Sequence, residues 1–270
     1  MVELREARKI AAATGLGLQY VLKEARVFDI WARLGPLVMS QKVKSAAILV
    51  CKGGTALNKI YLGGVQRFSE DLDFDAFFKK RLTKARKLDF LQENLIAALA
   101  RNYDVQTPRM MREVVRFTCS FGNEAGKKDS IFIEFNLQAP KVGKVLVKEA
   151  RSQLWELAVR VPVYSFEALV AKKLKTFYER ESGKDLYDIY RSFEGRGDDE
   201  LKKIVTMLRR VLRAEGIEYT NFVSGIEKTL DDEELIARVH ASSNPYIPRS
   251  LRINWRDAAS QIRNRLMPLL

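Results

Sequence analysis

The sequence predicts an α+β fold: a mixed β-sheet flanked by helices, followed by a mainly α-helical C-terminal domain. Three observations carry this. Short apolar runs punctuated by glycine turns lie between residues 45 and 137, helical spacing precedes and interrupts them, and after Pro162 the pattern is helical to the end. The change of character sets a boundary near 150–162, and hence domains at 1–155 and 156–270.

Residues 3–34 have helical spacing and good helix formers, broken by Gly15, Gly17 and Gly35-Pro36, so two helices are expected. SAAILVC at 45–51 is a short apolar run that ends at Lys52-Gly53-Gly54, a buried strand followed by a tight turn. TALNKIYL then has helical spacing, with Thr55 placed as N-cap and Gly63-Gly64 as the stop. In RFSEDLDFDAFF, Leu72 and Phe74 alternate with Asp71, Asp73 and Asp75, the pattern of a strand with one acidic face. An amphipathic helix is expected over 82–101, and VVRFTCSF (114–121) and SIFIEFNL (130–137), flanking GNEAGKKD, predict an antiparallel hairpin. The middle of the chain therefore reads β-α-β-α-β-β. Beyond it, SFEALVAKKLKTFYERE begins at a possible cap, Ser165, DLYDIYRSF follows a break at Gly183, and 198–214, 220–229, 231–241 and 256–265 supply further helices.

Composition narrows the function. The 270 residues include 47 Lys+Arg against 34 Asp+Glu, a formal charge of +13, with 47% hydrophobic residues. The positive excess is spread along the chain, which suits either a polyanion partner or an ordinary basic protein. With His240 as the single histidine, a His-based zinc site or a Ser-His-Asp triad is not expected. Cys51 and Cys119 sit in apolar segments without a CxxC and read as buried reduced thiols. No run approaches the ~18 to 20 apolar residues of a membrane span, and MVELREARKI lacks the features of a signal peptide, so no membrane association and a cytoplasmic location are expected.

The chemistry concentrates at 48–75. Backbone amides at a helix N-terminus, with no side chains on Gly53 and Gly54, make a cradle for phosphate oxygens. Strand positions i and i+2 point the same way about 6 to 7 Å apart, so Asp71 and Asp73 can offer carboxylates to the same pair of divalent ions. Such oxygen ligands suit Mg²⁺, which keeps phosphates and water in its shell. Phosphate cradle plus carboxylate pair is a nucleotidyl-transfer constellation, in which one ion activates the attacking hydroxyl and the other holds the triphosphate. Glu134, opposite in direction to Ile131, Ile133 and Phe135, is the candidate third carboxylate. Taken singly, each element has a plainer reading: a tight turn, a solvated acidic face, a surface glutamate.

CKGGTALNKIYLGGVQRFSEDLDFD at 51–75 resembles the GGTAL...R.S.DLDF core of the AbiEii/AbiGii-type nucleotidyltransferases, members of the DNA-polymerase-β-like superfamily that often act as toxins in toxin-antitoxin pairs. AKKLKTFYERESGKDLYDIY at 171–190 resembles that family's KL.AL..R...RDL.DL segment, with Lys184 where the family usually has Arg. That substitution keeps charge but not bidentate geometry, so Lys184 is left out of the site. The resemblance implies a nucleotidyltransferase domain over 1–155 and a helical domain contributing to its cleft. It implies Gly53, Gly54 and Thr55 at the triphosphate with Ser69 beside them, Asp71 and Asp73 on Mg²⁺, and Lys173 and Asp185 projecting into the cleft. Without it, Lys173 reads as a surface lysine and Asp185 as a helix cap. Lys52 and Arg67 flank the site, either to neutralise phosphate or as ordinary surface residues.

The expected activity is Mg²⁺-dependent transfer of a nucleoside monophosphate from an NTP to an acceptor hydroxyl; by resemblance, the acceptor is the 3′ end of tRNA and a cognate antitoxin restrains the enzyme. The basic run KKRLTKARK at 79–87 is either a solvated helix face or a seat for an RNA backbone. The aromatic residues show no RRM-type stacking pattern. Two alternatives remain: a non-catalytic nucleic-acid-binding or regulatory protein on the same fold, and transfer to a protein hydroxyl or a small molecule such as an aminoglycoside.

Overall fold

The computed structural model describes residues 2–270, apart from the side chains at positions 36, 41, 42, 45 and 239–241. The chain divides into two units. The first holds residues up to Gly63, Phe68–Ala139 and Val145–Val163, and the second holds Gly64–Arg67, Pro140–Lys144 and Tyr164–Leu270.

The first unit opens with α1 (Leu4–Thr14) and α2 (Leu18–Met39). Gly15 ends α1 in the left-handed region at φ 71°, where its N–H reaches the Ala11 carbonyl. The break expected at Gly35-Pro36 does not fall there, because α2 continues past Gly35 to Met39. Trp31, Leu34 and Val38 are buried at helical spacing on both sides of that point, and burial of an apolar stripe outweighs the poor propensity of one glycine. Pro36 lies outside the described residues. A short α3 (Gln41–Ala46), capped by the Ser40 hydroxyl accepting from the Val43 N–H, leads into the sheet.

The strands are β1 (Ala47–Lys52), β2 (Leu72–Phe78), β3 (Asp104–Val105), β4 (Arg109–Met111), β5 (Val114–Gly122), β6 (Lys128–Asn136), β7 (Val145–Arg151) and β8 (Ala158–Tyr164). They lie in the order β3-β5-β6-β2-β1-β8-β7, with β4 also paired to β5. The sheet is mixed: β1/β2 and β5/β6 are antiparallel, β2/β6 and β1/β8 parallel. The predicted hairpin is present, Val114 opposite Asn136 through to Gly122 opposite Lys128. Four of these strands have no signature in the sequence. β3 and β4 are too short to show alternation, β7 leaves most of its residues exposed, and β8 contains Pro162, which reads as a break.

One sheet face packs against α2 and α5 (Lys84–Leu99), where Leu34, Val38, Leu49, Phe74, Leu91, Leu95 and Phe135 line a small apolar cavity. Phe74 stacks on Phe135 with ring centroids 5.2 Å apart, and Phe117 meets Phe135 edge-on. The period-two pattern turns Asp73, Glu134 and Arg116 to the other face, in register with one another. Between β1 and β2 runs α4 (Gly53–Tyr61), which packs on β2 and β7.

The second unit is helical: α6 (Phe166–Arg180), α7 (Gly183–Phe193), α8 (Asp198–Ala214), α9 (Tyr219–Asp231), α10 (Glu233–Ser243) and α11 (Trp255–Leu266). Each helix expected after Pro162 has its counterpart here, and α8 buries Leu201, Ile204, Val205, Leu208, Val211 and Leu212 along one stripe. Ser165 stands at the N-cap of α6 but makes no side-chain cap hydrogen bond. His240 lies outside the described residues. Among the described residues no helix is long and apolar enough to cross a membrane.

Cys51 and Cys119 are free and buried, as their apolar settings predicted. Burial pushes both thiols up to about 12. The native protein is expected to resist a thiol reagent at pH 8 and to react at two sites per chain once unfolded in denaturant; fast reaction of either cysteine in the native state contradicts the buried placement.

Candidate active site

Helix α4 begins where β1 ends, with no intervening loop, so its first backbone N–H groups, which have no intrahelical partners, emerge at the edge of the β1/β2 pair. In the antiparallel register Lys52 sits opposite Asp73, which sets the next residue, Gly53, beside that aspartate. Gly53 has φ +74°, and a Cβ built on it would lie 2.0 Å from Asp73 Oδ2 and 2.8 Å from its Cγ. Only a residue without a side chain fits between helix start and carboxylate.

Thr55 does not serve as the N-cap; that position is Lys52, and Thr55 lies in the first turn. Its hydroxyl donates to the Asp71 carbonyl at 2.5 Å and lies 2.9 Å from the Ser69 hydroxyl. The buried Thr55 side chain therefore latches the start of α4 to the segment entering β2. Asn58 donates to the Gly54 carbonyl at 2.9 Å, steadying the same turn. Gly53, Gly54, Thr55, Ser69, Asp71 and Asp73 come together in the first unit. Asp71 directly precedes β2 and Asp73 is its second residue; both are half-buried while Leu72 and Phe74 are buried behind them.

Glu134 pairs in register with Asp73 across β2/β6. Its Oε1 accepts a hydrogen bond from Arg116 Nε at 2.6 Å, and Nη2 of the same guanidinium lies 2.5 Å away as an ion pair. Among the described residues no three His, Cys, Asp or Glu side chains gather as a metal-holding group. Asp75 is fully buried, with Lys52 Nζ 2.6 Å from its Oδ1. Lys52 is thus engaged by a carboxylate at the helix start.

Lys173 and Asp185 lie in the second unit, and neither fits its plainer reading. Lys173 is 6% exposed, with Nζ 2.5 Å from Asp185 Oδ1 and 3.0 Å from Asp188 Oδ2. Asp185, in the first turn of α7, receives Arg180 Nε at 2.7 Å and Nη2 at 3.0 Å instead of capping the helix. Asp188 accepts a fork from Arg67, Nε at 2.9 Å and Nη2 at 2.7 Å. Arg67 is 4% exposed, which corrects its reading as a surface residue. Lys173, Arg180 and Arg67 thus all lie against the carboxylates of Asp185 and Asp188. Asp188 was not among the expected site residues, although its i, i+3 spacing from Asp185 in DLYDIY places both on one helix face; Arg67 was expected only to flank the site. Lys184 stands apart, its ammonium 3.4 Å from the centre of the Tyr246 ring.

A side-chain-free helix start abutting an Asp-x-Asp strand on a mixed sheet defines the class: a nucleotidyltransferase. Residues 38–268 match the family described as nucleotidyl transferase AbiEii toxin, type IV TA system, and the chain belongs to that family. It is a nucleotidyltransferase toxin of a type IV toxin-antitoxin system, which entails a cognate antitoxin. Among solved structures, MenT4, a nucleotidyltransferase toxin from Mycobacterium tuberculosis H37Rv, shares the fold with a TM-score of 0.60 and 19% identity, over 97% of this chain and 89% of that one. The CD-NTase CdnG of Bradyrhizobium diazoefficiens, solved in complex with GTP, aligns at 12% identity over 93% of this chain and 90% of that one, with a TM-score of 0.24. No curated protein matches.

Gly53→Ala destabilises the first unit by about 1 kcal/mol from the positive φ alone, plus the cost of displacing the Asp73 carboxylate. In an Asp73→Ala background that second cost disappears, so a double-mutant cycle by denaturant unfolding shows coupling between the two positions; additivity contradicts the contact. For Asp185, burial pushes the carboxyl up, but the charge of Lys173 and the hydrogen bonds and charge of Arg180 outweigh it and hold it down to about 2. A carboxylate with a lowered folded value stabilises the fold above its ordinary value near ~4, and that contribution is lost as pH falls toward about 2. Asp185→Asn is therefore expected to be less stable than the parent by about 3 to 5 kcal/mol at pH 7, with the gap narrowing by about 2 kcal/mol between roughly pH 4 and 2; a pH-independent gap in thermal unfolding contradicts the assignment.

Proposed function

We propose that the chain transfers a nucleoside monophosphate from an NTP to an RNA hydroxyl, the 3′ end of tRNA, in a Mg²⁺-dependent reaction. The observation that carries this reading is the approach of Gly53 to the Asp73 carboxylate. It puts the N-terminal amides of a helix, an anion site, next to a carboxylate, a cation site, too close for any side chain between them. A triphosphate with its counter-ion needs both at once.

The donor set fits Mg²⁺: Asp71, just before β2, and Asp73, its second residue, carry hard oxygen ligands two residues apart, and Mg²⁺ leaves its remaining positions to phosphate and water. When bound, the ion supplies charge neutralisation for the triphosphate and acidification of the attacking hydroxyl. The backbone amides of Gly53, Gly54 and Thr55 orient phosphate oxygens. Thr55 and Ser69 hold that turn against the entry to β2, which limits the reorganisation needed when the nucleotide arrives. In the second unit Asp185 and Asp188 fix the rotamer of Lys173, whose ammonium is a point charge of the kind that suits a phosphate.

Incubation with each labelled NTP, Mg²⁺ and total RNA is expected to label an RNA species, and Asp71→Ala and Asp73→Ala each to reduce labelling by at least about 10³-fold. Label on protein or on a small molecule redirects the acceptor, and no transfer from any of the four NTPs removes the proposal.

A further inference from the structure

We propose that the solvated face of the sheet beside Asp73 is the track that receives the acceptor strand, with Arg116 and Arg109 gripping its phosphodiester backbone and Phe132 stacking one of its bases. This rests on the reading of Asp73 as the mark of the reacting centre. The register draws the track. Asp73 pairs with Glu134 across β2/β6, Glu134 with Arg116 across β6/β5, and Arg116 with Arg109 across β5/β4. Register partners share a face of the sheet, and neighbouring strands lie about 4.8 Å apart, so the two arginines stand roughly 10 and 14 Å from the Asp73 position in a straight row.

The chemistry along the row suits a single nucleic-acid strand. Arg109 and Arg116 face each other as like charges, an arrangement that is unfavourable by itself and is relieved by an anion between them. Glu134 accepts a hydrogen bond from Arg116's Nε and holds Nη2 as an ion pair, which fixes the guanidinium plane and leaves its other donors for phosphate. Arg116 also sits over the Phe132 ring, 4.8 Å from its centre. Phe132, two residues before Glu134 on β6, is half-buried on the same face. A half-exposed ring beside a guanidinium is a stacking platform for a base, whereas a duplex presents no unstacked base to it. Glu134 thereby becomes a positioning residue for Arg116.

The basic run 79–87 is a poorer seat. It starts after the far end of β2, and Lys79 stands six residues, roughly 20 Å of strand, from Asp73. Lys84 is engaged by Glu113 at 2.8 Å, and Lys87 donates to the Leu137 carbonyl at 3.2 Å.

The test uses the full chain and a short single-stranded RNA, with binding read by fluorescence anisotropy across a salt series and RNA KM and kcat read by label transfer. Arg109→Ala and Arg116→Ala are each expected to weaken RNA binding by about tenfold, to reduce the slope of log affinity against log salt by about 0.7, and to raise the RNA KM more than they lower kcat. Arg116→Lys retains the charge without the fork and is expected to fall between parent and Arg116→Ala. NTP affinity is expected to be unchanged in all three. Should Arg116→Ala fail to fold, the exposed Arg109 carries the test. The track is overturned if the arginine variants bind RNA as the parent does, if the triple variant K79A/K80A/R81A loses binding in their place, or if the parent binds no RNA. Arginine-dependent RNA binding without nucleotide transfer leaves the track standing and removes the transferase reading; transfer to RNA with an unaltered KM in the arginine variants does the reverse.

Discussion

The approach of the Gly53 backbone to the Asp73 carboxylate is the constraint around which the first unit is arranged. It requires β1 and β2 to be antiparallel in one register, because a shift by one residue would turn Asp73 to the apolar face. It also requires α4 to start without a loop, which is possible because Gly53 takes a positive φ and presents no side chain. Other contacts hold the same alignment from a distance. Lys59 of α4 reaches Glu24 of α2 at 2.6 Å, and the same Glu24 oxygen accepts from the Ser152 hydroxyl at 2.9 Å. Buried ion pairs of this kind contribute little net stability after desolvation, but they discriminate strongly among alternative packings of a helix.

In the second unit the corresponding device is electrostatic. Two carboxylates removed from water are tolerated there because three cations surround them, two buried with them and Arg180 reaching in from the solvent side. Every charge in the group depends on the others, so the helix pair α6/α7 is held in one arrangement by a network with few acceptable alternatives. Lys173 gains an orientation from this. An isolated lysine on a flexible stem is a diffuse charge, whereas one held between two aspartates is a fixed one.

Much of the fold was legible in the chain. α8 was readable over 198–214 because its apolar stripe repeats without interruption, and the hairpin was readable because both arms alternate around a turn rich in Gly, Asn and Asp. Local rules failed where tertiary packing overrode them. Gly35 did not end α2, since its neighbours are buried. Thr55 looked like a cap by residue type, but its hydroxyl is taken by Ser69 and Asp71, 14 and 16 residues away in sequence. β7 and β8 were invisible because a mostly exposed strand and a proline-containing strand lack the alternation that signals a strand.

By itself the sequence determined the class of chemistry: glycines at a helix start and aspartates at i, i+2 on the next strand are local patterns, and local patterns survive in one dimension. It also determined which segments are strands or helices wherever burial is periodic. Only the tertiary structure decided the partners. That Glu134 holds Arg116, that Arg67 grips Asp188 from 121 residues away, and that Arg109 extends the row begun by Asp73 are consequences of strand register and helix packing. Such contacts leave no mark on the linear order of residues, because the energy that selects them is shared among many side chains distant in sequence.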